Sequence, residues 1–311
     1  MGDKTGIAWT DATWNPTIGC TRVSEGCRHC YAERMAARFA GPGQPYEGVA
    51  SMTPSGPRWT NEVRVVMKRM NDPVRWTRPR RIFVNSMSDL FHPAIAYPVI
   101  WMILETARRA PQHTYQVLTK RPGNAAAFFE WLADQWMQGE PIFPGADPGP
   151  HSASNADRAA HFERLWSEYF PNVWLGTSTE NQETAEERVP LLLRTPARIK
   201  WLSVEPMIGP VRLRPEWIAR YTPPSPSSFG GRWDGPLTLH WVVIGGESGP
   251  GARPMSEQWP TSLMDQCRAA GVPVFFKQAG DKLARHWGCA ARKGDDPDEW
   301  PEEFRVQEYP V

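Results

Sequence analysis

The stretch His240-Trp241-Val242-Val243-Ile244-Gly245, followed by Gly246-Glu247-Ser248-Gly249, decides the fold. Four large apolar residues in a row, three of them β-branched, predict a strand that is buried on both faces, as in a parallel sheet. The glycines and the glutamate that follow predict a turn at its carboxyl end. In parallel α/β proteins the turns at that end hold the ligands. This one stretch therefore predicts both an architecture and the place of a site.

The same pattern recurs along the chain and alternates with helical segments. Apolar runs of strand length lie at 14–19, 82–85, 115–118, 173–176, 199–202, 240–245 and 274–276. Segments of helical character lie at 30–39, 101–110, 125–138, 157–170, 184–193 and 259–270. This alternation predicts right-handed βαβ units and a parallel sheet that curls into a partial or complete barrel. An open doubly wound sheet is the alternative.

The length of 311 residues suits one large α/β domain or two small ones. We predict a single barrel domain over 1–280, with Pro-, Gly- and Ser-rich loop insertions near 139–156 and 221–237. We predict an irregular C-terminal tail over 281–311 that packs on the barrel or extends from it.

The composition limits the classes of protein to which this chain can belong. Lys plus Arg number 35 and Asp plus Glu 34, so no overall basic field indicates nucleic acid and none forbids it. The sequence has no run of 18 apolar residues and no apolar signal core at its start, so we expect a cytoplasmic protein with no membrane partner. Three of its five cysteines crowd into eleven residues, which in a reducing compartment favours metal binding over disulfides.

Those three cysteines lie in Gly19-Cys20-Thr21-Arg22-Val23-Ser24-Glu25-Gly26-Cys27-Arg28-His29-Cys30-Tyr31. Thiolates suit iron–sulfur clusters, zinc and copper(I). Three of them on a [4Fe–4S] cluster leave one iron open, and an open iron can chelate S-adenosylmethionine (SAM) and deliver an electron to it. Zinc, with His29 or His92 as fourth ligand, is the first alternative, and three inert thiols are the second. Cys267 and Cys289 are expected to be incidental.

Polar side chains follow six successive strands, which favours one shared site over ordinary loop polarity. Ten residues at these strand ends, two of them glycines, are predicted SAM contacts: Asn85, Ser86, Asp89, Ser178, Glu180, Asn181, Gly245, Gly246, Glu247 and Arg253. Lys120 and Arg121 are predicted substrate contacts, for phosphate or carboxylate groups, with a solvated loop as the alternative. Glu205 is a predicted catalytic residue, as a general base, with a structural acceptor or no role as the alternatives, and Lys277 is the second predicted catalytic side chain. The glycine-rich turn is open to a second interpretation, a tight barrel corner.

Longer motifs resemble the phage Gp37/Gp68 family, a domain of unknown function that is DUF5131-like. They are IAWTDATWNP (7–16), CRHCYAE (27–33), VLTKRP (117–122), LGTSTEN (175–181), LSVEPM (202–207), IGGESGPGARPM (244–255), FFKQ (275–278) and EWPE (299–302). That family is similar to radical SAM enzymes and, more loosely, to spore photoproduct lyases. The usual radical SAM spacing places three residues and then two between the cysteines, whereas this chain has six and then two.

The resemblance implies a partial (β/α)6-type TIM-like barrel of the radical SAM kind, with a [4Fe–4S] cluster and SAM as cofactors. It implies a radical SAM enzyme of the lyase or modification type, with a flavodoxin or ferredoxin as electron donor and a nucleic acid or nucleoside-like base as substrate. The alternative is a zinc- or cluster-stabilised binding protein that does no chemistry and acts with a phage or defence partner.

Overall fold

The structure, a computed structural model, describes residues 5–146, 155–219 and 238–310. Its strands are β1 (Ala12–Thr13), β2 (Thr17–Ile18), β3 (Ala50–Thr53), β4 (Gly56–Trp59), β5 (Arg64–Val65), β6 (Arg81–Val84), β7 (Thr114–Thr119), β8 (Val173–Thr179), β9 (Ile199–Val204), β10 (Trp241–Gly245) and β11 (Val274–Gln278). Its helices are α1 (Tyr31–Arg38), α2 (Tyr97–Arg109), α3 (Pro122–Met137), α4 (Asn155–Tyr169), α5 (Gln182–Leu193), α6 (Pro215–Ile218), α7 (Gln258–Ala270) and α8 (Gly280–Trp287).

Seven parallel strands form a curled half-barrel sheet in the order β1-β6-β7-β8-β9-β10-β11. The predicted α/β class and parallel sheet are therefore confirmed. The order follows the chain and never reverses within the described residues, so this part of the protein has no topological switch point, and the doubly wound alternative is wrong. The loop predicted at 221–237 lies outside the described residues, as do residues 147–154 of the one predicted at 139–156. Residues 139–146 contain no helix or strand, and α4 begins at Asn155.

Six of the seven predicted strands and all six predicted helices correspond to elements of the structure. The strand predicted at 14–19 contains β2 but does not belong to the parallel sheet, so its predicted place in the barrel is wrong. The strand that joins the sheet is β1, and the chain leaves the sheet at Asn15-Pro16, where the Asn15 side chain accepts a bond from the Met87 amide. Beyond Pro16, β2 pairs antiparallel with β5 in a small separate sheet.

Side chains alternate between the two faces of each strand, so every second residue points into the half-barrel. The outward residues pack under the helices, and the inward ones nearest the amino ends are aromatic. Trp9, Phe83, Trp201, Trp241 and Phe275 form this buried aromatic group. It fills the lower half of the barrel in the described part of the chain, and the open space lies towards the carboxyl ends of the strands.

Gly176 on β8 makes room for one of these rings. It is the cross-strand partner of Trp201, and a Cβ added to it would lie 2.4 Å from an indole carbon of Trp201. We expect Gly176→Ala to lower the free energy of unfolding by about 1–3 kcal/mol, because the indole must move within a packed core. Urea unfolding measures this. Gly41→Ala, which meets only one side-chain carbon at 3.8 Å, is the control, and equal midpoints for the two variants would contradict the prediction.

His240, just before β10, makes stability depend on pH. Its Nδ1 accepts a bond from the Lys200 amide at 3.1 Å. Burial, and then the charge of Lys200, lower the pKa of His240 to about 4. The unfolded chain therefore binds this proton first, and we expect the free energy of unfolding to fall by up to about 3 kcal/mol as the pH drops from about 6.5 to about 4. His240→Asn keeps an acceptor without titrating. The free energy of unfolding of the His240→Asn variant should therefore change less over this pH range. Equal changes in the wild type and the variant would contradict the prediction.

The segment after β11 folds back onto the barrel. It begins with α8, which the sequence analysis did not predict, and Trp300 and Phe304 are buried against Phe276. Gln307 forms an antiparallel bridge with Phe275. No helix among the described residues is long and apolar enough to cross a membrane.

Candidate functional site

A cavity of about 260 Å³ opens at the carboxyl ends of the strands, above the aromatic group. Thirteen of the predicted site residues line it: Cys20, Cys27, Cys30, Asn85, Ser86, Asp89, Lys120, Arg121, Ser178, Glu205, Gly246, Glu247 and Lys277. Four do not line it: Glu180, Asn181, Gly245 and Arg253. The chain thus brings side chains from all parts of the predicted barrel to one space.

The cysteines enter this cavity from the loop between β2 and α1, which we call the cysteine loop (residues 19–30). Cys20, Cys27 and Cys30 are free thiols, and each lines the cavity. Burial raises the pKa of the Cys20 thiol to about 12, whereas the Arg121 guanidinium, 3.7 Å from its Sγ, favours the thiolate. A bound metal deprotonates such a thiol outright.

The three thiols are not gathered around one point. Within the described ranges, no group of three or more His, Cys, Asp or Glu side chains is placed to hold a single metal ion. In an iron–sulfur cluster, however, each cysteine binds a different iron, so the sulfur atoms need not converge. Three soft donors on one half-buried cavity fit the donor set that a [4Fe–4S] cluster requires.

Glu180, after β8, holds the middle of the cysteine loop. Its Oε1 accepts a bond from the Gly26 amide at 3.2 Å, and its Oε2 pairs with Lys120 at 3.2 Å and with Arg188 at 3.1 Å. Burial raises the pKa of Glu180, but the nearby cations outweigh burial and the net shift is downward. A Cβ on Gly26 would lie 2.9 Å from the Glu180 carboxyl carbon, so only glycine allows the loop to approach this closely.

Asp89, after β6, holds the first cysteine through Arg121. The Arg121 guanidinium donates to Asp89 at 3.0 Å and to the Thr21 carbonyl at 2.9 Å. Asp89 also accepts from the Thr119 hydroxyl and from the Lys120 amide. The charge of Arg121, a predicted substrate contact, is therefore already balanced by a buried carboxylate.

Glu247, after β10, holds the end of the loop that leads to Cys30. Arg253 binds both of its carboxylate oxygens, at 3.0 and 2.7 Å, and His29 lies 3.1 Å from Oε2. Burial opposes ionisation, but the hydrogen bonds from Arg253 and His29 lower the pKa of Glu247 to about 2. Arg253 also donates to the Glu25 carbonyl.

Three of the predicted SAM contacts thus act as anchors of the cysteine loop. Each belongs to a different strand end, and Glu180 and Glu247 stand in the motifs LGTSTEN and IGGESGPGARPM. Their direct contact with SAM stays a prediction. The sequence shows which residues are polar at the strand ends, but not which of them are already paired with one another.

Glu205 and Lys277 form an ion pair on the cavity wall made by β9 to β11. Both side chains are partly exposed to the cavity, at 21% and 14%. The Ser178 hydroxyl fixes the backbone of Glu205 by donating to its carbonyl at 3.0 Å. A carboxylate in contact with an ammonium group can accept a proton and have its charge compensated, which suits general acid–base work.

Four cavity-lining residues carry buried polar atoms that have no partner in the described part of the chain. They are Trp9 (Nε1), Asn85 (Oδ1), Ser203 (Oγ) and Gln278 (Oε1). Buried polar atoms are nearly always hydrogen-bonded, so such atoms beside a cavity indicate a bound molecule or water. The sequence analysis did not select Ser203 and Gln278, although both stand in the quoted motifs LSVEPM and FFKQ.

Comparison with known proteins gives one finding. A family model described as "Protein of unknown function (DUF5131)" matches residues 4–300. No curated protein and no solved structure matches the chain. Because the match covers nearly the whole length, the predicted DUF5131-like membership is confirmed, whereas the Gp37/Gp68 name and the likeness to radical SAM enzymes stay predictions. The chain belongs to the DUF5131 family.

Proposed function

We propose that this protein is a radical SAM-type iron–sulfur enzyme, in which Cys20, Cys27 and Cys30 hold a [4Fe–4S] cluster. The observation that carries the proposal is that the three free cysteines and ten further predicted site residues line one cavity at the carboxyl ends of parallel strands. We also propose that the half-barrel is the partial (β/α)6-type barrel of that class. We propose in addition that the protein acts in the cytoplasm and receives electrons from a flavodoxin or ferredoxin.

Cys20, Cys27 and Cys30 would hold such a cluster, and when bound it would supply the electron for reductive cleavage of SAM. The residues of this chain would bind the cofactors and position them in the cavity. The three anchor carboxylates fix the cysteine loop against the barrel, and Arg121 places a positive charge beside Cys20. Asn85, Ser86 and Ser178 present polar atoms to the space next to the loop.

The Glu205–Lys277 pair lies on the cavity wall formed by the last strands and supports the proposed catalytic role of these residues. Glu205 Oε1 takes up a proton from the substrate or returns one, and Lys277 Nζ stabilises the carboxylate between turnovers. The aromatic floor, with Trp9 and Phe83 at the cavity, excludes water from the lower half of the barrel.

The test is chemical analysis of protein purified without oxygen. We expect about four iron and four sulfide per chain and a brown colour. After reduction with dithionite, added SAM should yield 5′-deoxyadenosine, measured by liquid chromatography. Zinc in place of iron, or neither metal after reconstitution, would sink the proposal.

A second candidate function is a cluster- or zinc-stabilised binding protein that acts with a phage or defence partner. It is favoured by the full engagement of the anchor carboxylates, since Asp89, Glu180 and Glu247 serve the loop rather than open space. A metal centre built this firmly into a fold also suits a purely structural role. A fully loaded, reduced cluster that never cleaves SAM, with or without candidate substrates, would favour this second function.

A further inference from the structure

Positive charge is concentrated in one part of the chain. Residues 20–81 contain twelve Arg and Lys but only five Asp and Glu. The rest of the chain contains 23 Arg and Lys and 29 Asp and Glu. An overall charge of +1 therefore hides one segment with seven excess positive charges and a remainder with six excess negative charges. The basic segment starts with the cysteine loop and runs through α1 and the β3–β4 hairpin to β6. Seven of its twelve cations are exposed: Arg22, Arg28, Arg38, Arg64, Lys68, Arg75 and Arg78.

Helix α1 shows how this charge is presented next to the cavity. Its inner face, with Ala32, Glu33 and Ala36, is buried against the β3–β4 hairpin. Its outer face, which we call the α1 face, consists of Tyr31, Arg34, Met35, Arg38 and Phe39. These residues are spaced three, four, seven and eight positions from the first, so they form a single stripe.

The α1 face is apolar where a helix surface is normally polar. Tyr31, Met35 and Phe39 are 50%, 42% and 43% exposed. Between them lie two arginines, and the Arg38 guanidinium sits 6.0 Å from the ring centroid of Phe39. Tyr31 and Arg34 also line the cavity, so the stripe runs from the cavity mouth outwards over the surface.

We propose that the α1 face and the surrounding cations bind single-stranded nucleic acid and guide it to the cavity. Exposed aromatic rings provide stacking platforms for bases, and the arginines between them meet phosphates, which is how proteins hold single strands. Eleven of the twelve cations are arginines, whose planar guanidinium both pairs with phosphate and stacks on bases. The inference names a substrate class for the proposed function and rests on it for the reaction, although not for binding.

The cavity adds an independent observation. It combines an aromatic floor at Trp9 and Phe83 with the unpartnered buried atoms of Asn85, Ser203 and Gln278. A flat heterocycle with donors on its edge, such as a base turned out of the strand, satisfies both the apolar floor and these acceptors. Asn85 is also a predicted SAM contact, so Ser203 and Gln278 are the residues left for a base. An acidic protein docked on the α1 face would not reach into the cavity to pair with them, so the nucleic acid is the favoured occupant.

The test is fluorescence anisotropy with a labelled single-stranded oligothymidylate of about 20 nucleotides and the anaerobically prepared full-length protein. We expect binding that weakens steeply between about 50 and 200 mM salt, and a weaker response to the matching duplex. The double variant Arg38→Gln/Phe39→Ala should bind at least about tenfold more weakly, since it loses one phosphate contact and one stacking ring. Arg194→Gln, at the far end of α5 and 66% exposed, is the matched control and should bind like the wild type.

A second variant, Lys68→Gln/Arg78→Gln, removes two exposed charges without touching α1 and should lower the salt slope by about 1.4. Salt-insensitive binding, or equal loss in the Arg194 control, would overturn the inference. So would an Arg38→Gln/Phe39→Ala variant that binds the strand normally but accepts electrons slowly from reduced flavodoxin, because the α1 face would then dock an acidic protein. Loss of 5′-deoxyadenosine formation with strand binding intact would overturn the proposed function and not this inference.

Discussion

Cys27→Ala protein is expected to contain no iron–sulfur cluster and to form no 5′-deoxyadenosine. Cys27 lines the cavity, and in sequence it is the second of the three cysteines. It is the last residue of a 3₁₀ turn formed by Glu25–Cys27. With three ligands, a four-iron cluster already has one iron without a protein donor, and a second open iron leaves it labile. Absorbance near the visible cluster band and iron content measure the result on protein reconstituted in parallel with the wild type.

The chain offers a matched control for this change. Cys289 is also a free, partly buried thiol, but it lies after α8, and its Sγ faces the Glu299 carbonyl at 3.6 Å. Cys289→Ala is expected to keep the full cluster. A full cluster in Cys27→Ala protein, or its loss in Cys289→Ala protein, would contradict the ligand assignment.

Glu180→Ala is expected to lower the free energy of unfolding by about 3–5 kcal/mol, because it removes one partner from a buried ion pair. Lys120 and Arg188, with side chains 19% and 3% exposed, would lose their shared counter-charge. The Gly26 amide would lose its acceptor at the same time, so the cysteine loop should detach from the barrel and iron retention should fall. Urea unfolding and iron analysis of the same preparation measure the two effects.

Two further variants separate charge from hydrogen bonding. Glu180→Gln keeps a carbonyl oxygen for the Gly26 amide, so it should retain more iron than Glu180→Ala while remaining less stable than the wild type. Glu105→Ala breaks a helical pair with Arg108 that is about 30% exposed, and it should change stability by less than about 1 kcal/mol. Similar losses in Glu105→Ala and Glu180→Ala would show that Glu180 is not an anchor.

The central sheet could be predicted from sequence because its strands are apolar on both faces. Runs such as β9 and β10 stand out against the amphipathic helices between them, and six strands fell within a few residues of their predicted bounds. The first strand was misplaced because Trp14 continues the apolar run, whereas Asn15-Pro16 breaks the backbone pairing. The hairpin of β3 and β4 was missed because its strands are short, partly exposed and contain Pro and Gly.

Which residues line the cavity could be predicted from the sequence better than what each of these residues does. Polar side chains after parallel strands must lie on one edge of the sheet, which explains why thirteen predicted residues share one cavity. Pairings such as Glu247 with His29 join residues 218 positions apart, and no local pattern encodes them. The excess of positive charge was present in the sequence, but the whole-chain total concealed it.

The three anchors of the cysteine loop have a consequence for how the protein matures. Asp89, Glu180 and Glu247 follow β6, β8 and β10, so they come together only when the sheet is complete from one side to the other. A nascent chain that has made only β1 to β7 carries all three thiols but lacks two of the three carboxylates that hold them. The proposed cluster is therefore expected to enter only after the late strands are made, and a defect in any late strand should appear first as poor iron loading.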